Sequence, residues 1–188
     1  MTVLQLISSG GYYGAESMLV GLARALAVKG CKVTAGVFHD SRWAHLEVAE
    51  EAKRQGVAIE FIACQGRWDF HAVYAIQRLV ERLHVDILHT HGYKADLYGY
   101  LATRPHRCVL VATCHNWPNR APSMRFYAGL DRLILRRFDG VAAVSAPVAD
   151  ILQRWGVRAV SYLPNGVPLP RFQHATPTLR REWKTNHR

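Results

Sequence analysis

Short apolar segments alternate with longer amphipathic segments along most of the chain. The first apolar segment is VLQLIS at residues 3–8, and residues 15–29 then repeat leucine and alanine at helical spacing until Gly30. Several apolar segments lack the alternation of polar and apolar side chains that marks a half-exposed strand. They are therefore predicted to be strands buried on both faces, as in a parallel sheet that helices cover.

This rhythm predicts a doubly wound α/β fold with a mostly parallel sheet of about seven strands. The predicted strands are residues 3–8, 31–38, 57–63, 86–91, 108–115, 140–145 and 158–164. The predicted helices are residues 15–29, 43–55, 69–84, 93–103, 123–137 and 147–155. The rhythm stops near Pro168, so we expect one domain at residues 1–167 and a basic linker or tail at 168–188.

The charge balance limits the partners. Lys and Arg number 24 against 14 Asp and Glu, a formal net charge of +10. A basic surface attracts phosphate groups, which leaves nucleic acid, an anionic membrane and an anionic substrate open. No apolar run reaches the roughly 18 residues that span a bilayer. The first residues also lack the basic segment of a signal peptide, so we expect a cytoplasmic location.

Neither the cysteines nor one histidine pair predicts a metal site. Cys31, Cys64, Cys108 and Cys114 form no C-x-x-C spacing, and we expect neither a disulfide nor a zinc site. His89 and His91 share one face of a predicted strand and could chelate a metal. No strand-end carboxylate cluster accompanies them. We therefore expect no metal, with His89 packed inward and His91 at the rim.

Candidate site residues follow the predicted strands, because open α/β sheets bind ligands beyond the carboxyl ends of their strands. In the loop SSGGYYG, Gly10, Gly11 and Gly14 precede a helix N-terminus, where backbone amides can approach a phosphate. The spacing matches neither a dinucleotide fingerprint nor a Walker loop. The alternative is a tight turn in which Glu16 suits the helix dipole.

Three further features stand near the same rim. His115 ends a buried strand and could orient a substrate hydroxyl, or could be a structural histidine. Asn165 and Gly166 predict a turn after the last strand. One predicted helix carries three arginines on one face beside an apolar stripe: Arg125, Arg132 and Arg136. This pattern suggests contact with an anionic lipid or an anionic acceptor, or it is an ordinary solvated helix face.

Five motifs occur in one order: the loop ending Gly14-Ala15-Glu16, DILHTHGYKADLYGYLA, VATCHN, DGVAAVSAPVADIL and YLPNGVP. This series resembles the N-terminal domain of glycosyltransferase family 4, the retaining enzymes of GT-B architecture, over most of residues 1–168. The resemblance implies two Rossmann-like domains that face across a cleft. It implies transfer of a hexosyl-type sugar from a nucleotide-diphosphate-sugar to an acceptor hydroxyl, without a cofactor or metal.

The resemblance also assigns roles by position. Gly11, Gly14 and Glu16 match the loop at the donor phosphates, and His115 matches the histidine that faces the transferred sugar. His91, Asn116 and Tyr13 fall on the acceptor-side rim, and Asn165 and Gly166 on the hinge turn. Tyr13 precedes Gly14 where the family commonly has glycine, and Pro168 stands where an acidic residue often follows.

The family's C-terminal Arg/Lys pair and paired glutamates are not found. We therefore expect an acceptor-side fragment that is inactive alone. The expected acceptor is a glycan or a lipid-linked sugar of cell-envelope polysaccharide biosynthesis, with peripheral contact at the inner face of the membrane. The alternatives are a GT-B sugar-nucleotide epimerase and a non-catalytic basic α/β module that binds nucleic acid or an anionic membrane.

Overall fold

Seven strands form one parallel sheet in the computed structural model, which describes residues 1–40, 45–66, 68–105, 108–115 and 122–166, with side chains except at 122–127. The strands are β1 Thr2–Ile7, β2 Lys32–His39, β3 Ala58–Ala63, β4 Ile87–His91, β5 Val109–Cys114, β6 Gly140–Ala143 and β7 Val160–Tyr162. The helices are α1 Gly14–Val28, α2 Glu47–Arg54, α3 Phe70–Leu83, α4 Tyr93–Thr103, α5 Pro122–Leu135 and α6 Ala146–Arg154.

The strand order is β3-β2-β1-β4-β5-β6-β7, and every neighbouring pair is parallel. The predicted doubly wound fold is confirmed. The chain first builds outward from β1 to β3 and then returns to place β4 on the other side of β1. Such a reversal opens a crevice at the carboxyl ends of β1 and β4, where α/β sheets bind ligands.

Alternate residues of the strands feed two separate apolar layers. Leu4 and Leu6 pack into the layer beneath α3 to α6, whereas Ile7 packs into the layer beneath α1 and α2. Because successive strand residues point to opposite faces, an apolar run such as that of β1 can be buried on both sides. One polar residue interrupts this run, since Gln5 is fully buried.

Several element boundaries differ from the sequence-based expectation: α2 begins only at Glu47, four residues later than expected, and β6, β7 and α5 are shorter. Strand β7 spans only Val160–Tyr162, and Pro164 follows closely without an amide hydrogen to donate. Helix α5 ends at Leu135, so Arg136 lies in the turn beyond it. The chain then turns toward β6, and the Asp139 carboxylate accepts a 2.8 Å hydrogen bond from the Leu110 amide on β5.

Candidate functional site

The carboxyl ends of β1, β4 and β5 bring three candidate segments together. Ile7 on β1 pairs with His91 on β4, and His91 pairs with Thr113 on β5. The glycine-rich loop therefore starts one residue beyond the level of His91, and His115 follows β5 directly. These segments meet at the reversal point of the sheet, the place where the fold predicts a ligand site.

The Glu16 carboxylate accepts hydrogen bonds from two residues of the glycine-rich loop. The Ser9 hydroxyl donates a 3.0 Å hydrogen bond to Oε1 of Glu16, and the Tyr13 amide donates a 3.1 Å hydrogen bond to Oε2. The Gly11 amide donates to Ser9 Oγ at 3.2 Å, which adds a third contact within the loop. A carboxylate that accepts these bonds shapes the loop and repels phosphate. In this structure both oxygens of Glu16 are engaged within the loop, and its assignment to the donor phosphates stays a prediction.

Gly11 and Gly14 meet different constraints. Gly11 has φ +152°, and a Cβ atom there would lie 2.6 Å from the Tyr13 ring, so its role is conformational. Gly14 is the first residue of α1, and a Cβ atom there would meet no atom within 4 Å. The space beside Gly14 is therefore open to a ligand, next to the helix N-terminus with its free amides and partial positive charge.

A row of three histidines extends inward from the rim. The ring centroids of His89 and His91 are 4.3 Å apart, and those of His91 and His115 are 6.0 Å apart. His89 Nε2 lies 2.8 Å from the Thr113 hydroxyl. Both His91 nitrogens and Nε2 of His115 are buried without a hydrogen-bond partner among the described residues. His115 as a whole is only half-buried at the rim, but its Nε2 is enclosed by protein.

Burial keeps this row neutral. Desolvation lowers the pKa of His89 to about 4, and it lowers the pKa of His91 well below its usual value. Burial also lowers the pKa of His115, although the nearby Glu16 carboxylate opposes this shift. A neutral imidazole keeps one nitrogen as an acceptor, so His115 can accept a hydrogen bond or a proton from a hydroxyl.

The family model of Glycosyltransferase Family 4 matches residues 12–171, which is most of the chain. This chain belongs to Glycosyltransferase Family 4. The resemblance that the five motifs indicated is thereby confirmed. No curated protein matches the chain.

Solved structures show the same fold at low sequence identity. HepE of Anabaena, in complex with UDP-glucose, is 18% identical with a TM-score of 0.76, over 100% of this chain and 50% of its own. Sucrose-phosphate synthase from Thermosynechococcus elongatus is 14% identical with a TM-score of 0.73, over 98% of this chain and 52% of its own.

The fold also occurs in epimerases. UDP-GlcNAc 2-epimerase from Methanocaldococcus jannaschii is 12% identical with a TM-score of 0.62, over 88% of this chain and 46% of its own. The chain thus spans about half the length of the structures it matches. It corresponds to one Rossmann-like half of a GT-B structure.

The remaining candidates of this family 4 domain lie at different depths. His91 is buried at 3% exposure, beneath the rim rather than on it, whereas Tyr13 is 71% exposed. Asn116 lies outside the described residues. Asn165 and Gly166 are exposed, and they line a groove of about 1010 Å³ between α1 and the sheet, which has His89 and Thr113 on its floor.

Two of the three candidate arginines contact the end of α6. The Arg136 Nε donates a 2.5 Å hydrogen bond to the Trp155 carbonyl, and its guanidinium lies 3.1 Å from the position of a Cβ at Gly156. The Arg132 guanidinium lies 5.9 Å from the Trp155 ring centroid. The side chain of Arg125 lies outside the described residues. Arg136 is not on the helix, so the expectation of three arginines on one helix face is wrong.

The described residues include neither a group of metal ligands nor a membrane-spanning helix. In those parts of the chain, no three His, Cys, Asp or Glu side chains are grouped so that they could hold a metal ion. No helix there is long and apolar enough to cross a bilayer. All four cysteines are free thiols.

The sequence analysis missed three polar residues that shape the site. Ser9 supports the loop through Glu16, Thr113 pairs with His89, and Gln5 is buried beside His89 in the strand register. A polar residue in the middle of the apolar run of β1 was the one available signal for Gln5. The other two contacts depend on backbone geometry that spacing does not specify.

Proposed function

We propose that this chain is the acceptor-side domain of a retaining glycosyltransferase. The enzyme transfers a hexosyl group from a nucleotide-diphosphate-sugar to an acceptor hydroxyl. The chain works together with a second Rossmann-like domain, which supplies most of the donor site. Membership in Glycosyltransferase Family 4 supports this proposal, as do HepE structures with UDP-glucose and with UDP and glucose.

One juxtaposition carries the proposal. The open space at Gly14 and the neutral His115 lie at the same reversal point of the sheet, and Glu16 is near enough to His115 to affect its pKa. Amides at the N-terminus of α1 can stabilise the diphosphate as negative charge develops on it. His115 can hold a hydroxyl of the sugar or the acceptor beside that group. The reaction then needs no resident metal.

The expected acceptor is a glycan or a lipid-linked sugar of the cell envelope. The formal net charge of +10 would attract the phosphate of a lipid-linked acceptor or of an anionic membrane. We therefore propose a cytoplasmic enzyme that contacts the inner face of the membrane peripherally. Nucleic acid is not among the proposed partners.

A titration of this chain with a panel of nucleotide-sugars tests the proposal, with backbone amide resonances as the readout. We expect weak binding that shifts the amides of the segment from Ser9 to Gly14 and of His115. The matched control is the exposed His71, whose amide resonance should not shift. Binding of nucleic acid or anionic vesicles, with no response to any nucleotide-sugar, would instead favour a non-catalytic basic module.

Activity of the enzyme that joins this domain to its second half tests the role of His115. His115→Ala should lower sugar transfer by at least about tenfold, the size of a lost positioning or proton-transfer group. His71→Ala serves as the control. Near-normal transfer by His115→Ala would contradict the proposed role.

A sugar-nucleotide epimerase is the second candidate, because the same fold occurs in the M. jannaschii epimerase. Product analysis separates the two functions. An epimerase converts the nucleotide-sugar without an acceptor, whereas a transferase releases the nucleoside diphosphate only as it glycosylates one.

A further inference from the structure

Two pairs of side chains bridge β4 and β5, one pair at the rim and the other directly below it. His89 and His91 are alternate residues of β4, so they share one face of the sheet. Thr113 lies on β5, and His115 follows two residues later. In the lower pair, His89 Nε2 lies 2.8 Å from the Thr113 hydroxyl. In the upper pair, the ring centroids of His91 and His115 are 6.0 Å apart.

The upper pair has no hydrogen bond of its own to orient its rings within the described part of the chain. Both nitrogens of His91 and Nε2 of His115 are buried without such a partner there. The torsion that rotates an imidazole ring has broad minima, so neighbouring groups decide its angle. The neighbours of His91 are the ring of His89, 4.3 Å away, and the ring of His115. The orientation of His91 therefore depends on these two ring contacts.

The lower pair is fixed by its buried hydrogen bond. Thr113 is 4% exposed and His89 is 8% exposed, so water competes little for this bond. A hydroxyl can donate or accept, and the bond therefore forms with either tautomer of the ring. Burial lowers the pKa of His89 to about 4, so near pH 7 the ring is neutral and does not repel its neighbours. His89 thus presents a fixed ring face to His91.

We propose that Thr113 is a positioning residue for His115: its hydroxyl fixes the ring of His89, and the ring contacts through His91 transmit that orientation to His115. The proposal rests on the proposed function only for what His115 does to a substrate. It explains why a hydroxyl stands at this buried strand end. Valine would fill a similar space and suit a strand equally well, but it would leave the ring of His89 without its bond.

Imidazole resonances of this chain test the proposal at about pH 8, where the three rings are neutral. Thr113→Val should shift the ring nitrogen and ring proton resonances of His91 and His115 as well as those of His89. Thr113→Ser keeps the hydroxyl and should leave them close to wild type. The control is Thr103→Val, at a buried threonine whose hydroxyl donates a 3.0 Å hydrogen bond to the Gly99 carbonyl within α4. This control should shift none of the three rings.

A second variant separates the hydrogen bond from the direct effect of residue 113, which is close to His115 in the chain. His89→Phe keeps a ring against His91 but removes the bond to Thr113. It should shift the His115 resonances too, and the double variant should match Thr113→Val, because both changes remove one bond. Unchanged His115 resonances in His89→Phe, or additive shifts in the double variant, would overturn the route through His89. Urea unfolding checks that each variant is folded, and His89→Phe supplies the test alone if Thr113→Val is not.

Activity of the enzyme that joins this domain to its second half gives a further readout. Thr113→Val should lower kcat for sugar transfer by about tenfold and leave KM for the nucleotide-sugar within about twofold, because His115 is displaced while the space at Gly14 is untouched. Thr113→Ser should restore kcat. An unchanged kcat beside shifted resonances would overturn the positioning role. The resonances need no nucleotide-sugar, so a wild type without transfer activity would contradict the proposed function and not the link from Thr113 to His115.

Discussion

The Ser9 hydroxyl donates a 3.0 Å hydrogen bond to the Glu16 carboxylate, seven residues further along the chain. This bond joins the end of β1 to the first turn of α1 and sets the path of the glycines between them. Glu16 is 6% exposed, so its charge is held among loop atoms rather than in solvent. Hydrogen bonds within the loop limit the ordering that ligand binding would require, which favours binding.

Glu16→Gln should destabilise the domain by about 1–2 kcal/mol, because a charged acceptor of two hydrogen bonds is lost. The side-chain amide can still accept from one partner, but its NH₂ group would face the Tyr13 amide donor. Urea unfolding measures the change. Glu50→Gln, at an exposed site in the first turn of α2, is the control and should change stability much less. Equal effects of the two variants would show that Glu16 acts only through the helix dipole.

Substitutions of the two loop glycines should have different effects, one on stability and the other on ligand binding. Gly11→Ala should destabilise the domain by about 1–3 kcal/mol, because φ +152° is unfavourable for any L side chain. Gly14→Ala should leave stability unchanged or raise it by up to about 1 kcal/mol, because alanine is the better helix former. It should nevertheless weaken nucleotide-sugar binding, since its methyl group enters the open space. Equal binding by wild type and Gly14→Ala would place the ligand elsewhere.

Hydrophobic periodicity predicted the fold well because burial on two faces constrains the central strands, such as β1 and β4. Residues 3–8 and 31–38 were predicted as strands, and the structure has β1 and β2 within one or two residues of those limits. Boundaries that depend on single polar contacts were not predictable. After α5 ends at Leu135, for example, Asp139 bonds to Leu110, which lies 29 positions earlier in the chain.

The location of the site was predictable from the sequence, but the roles of its individual residues were less so. Ligands bind beyond the carboxyl ends of the strands in a doubly wound sheet, so the loop at Gly14 and His115 could be placed on one rim from their positions after the predicted strands. The burial of His91 was not predictable, because it comes from the rings of His89 and His115, which lie on either side of it.

Acid should destabilise the domain through His89. Burial lowers its pKa from 6.5 to about 4, so the folded state binds no proton there while the unfolded state does. Stability is therefore complete above about pH 6.5 and is lost as the pH falls toward about pH 4, by up to about 3 kcal/mol. The free energy of unfolding should therefore change less with pH over this range in His89→Gln than in wild type. His71→Gln, at a fully exposed site, should keep the wild-type slope. A wild-type slope in His89→Gln would assign the acid sensitivity to other groups.

Arg136 should matter for stability and not for membrane contact. Its guanidinium donates to the Trp155 carbonyl at the end of α6, where a positive charge also suits the helix dipole. Arg136→Ala should therefore destabilise the domain by about 1–2 kcal/mol, measured by urea unfolding, and leave binding to anionic vesicles close to that of wild type. The adjacent, exposed Arg137 is the matched control, because Arg137→Ala removes the same charge without this contact. If Arg136→Ala instead binds vesicles far more weakly than Arg137→Ala does, while both variants remain as stable as wild type, the basic surface at the end of α5 is a membrane contact and the bond to Trp155 contributes little.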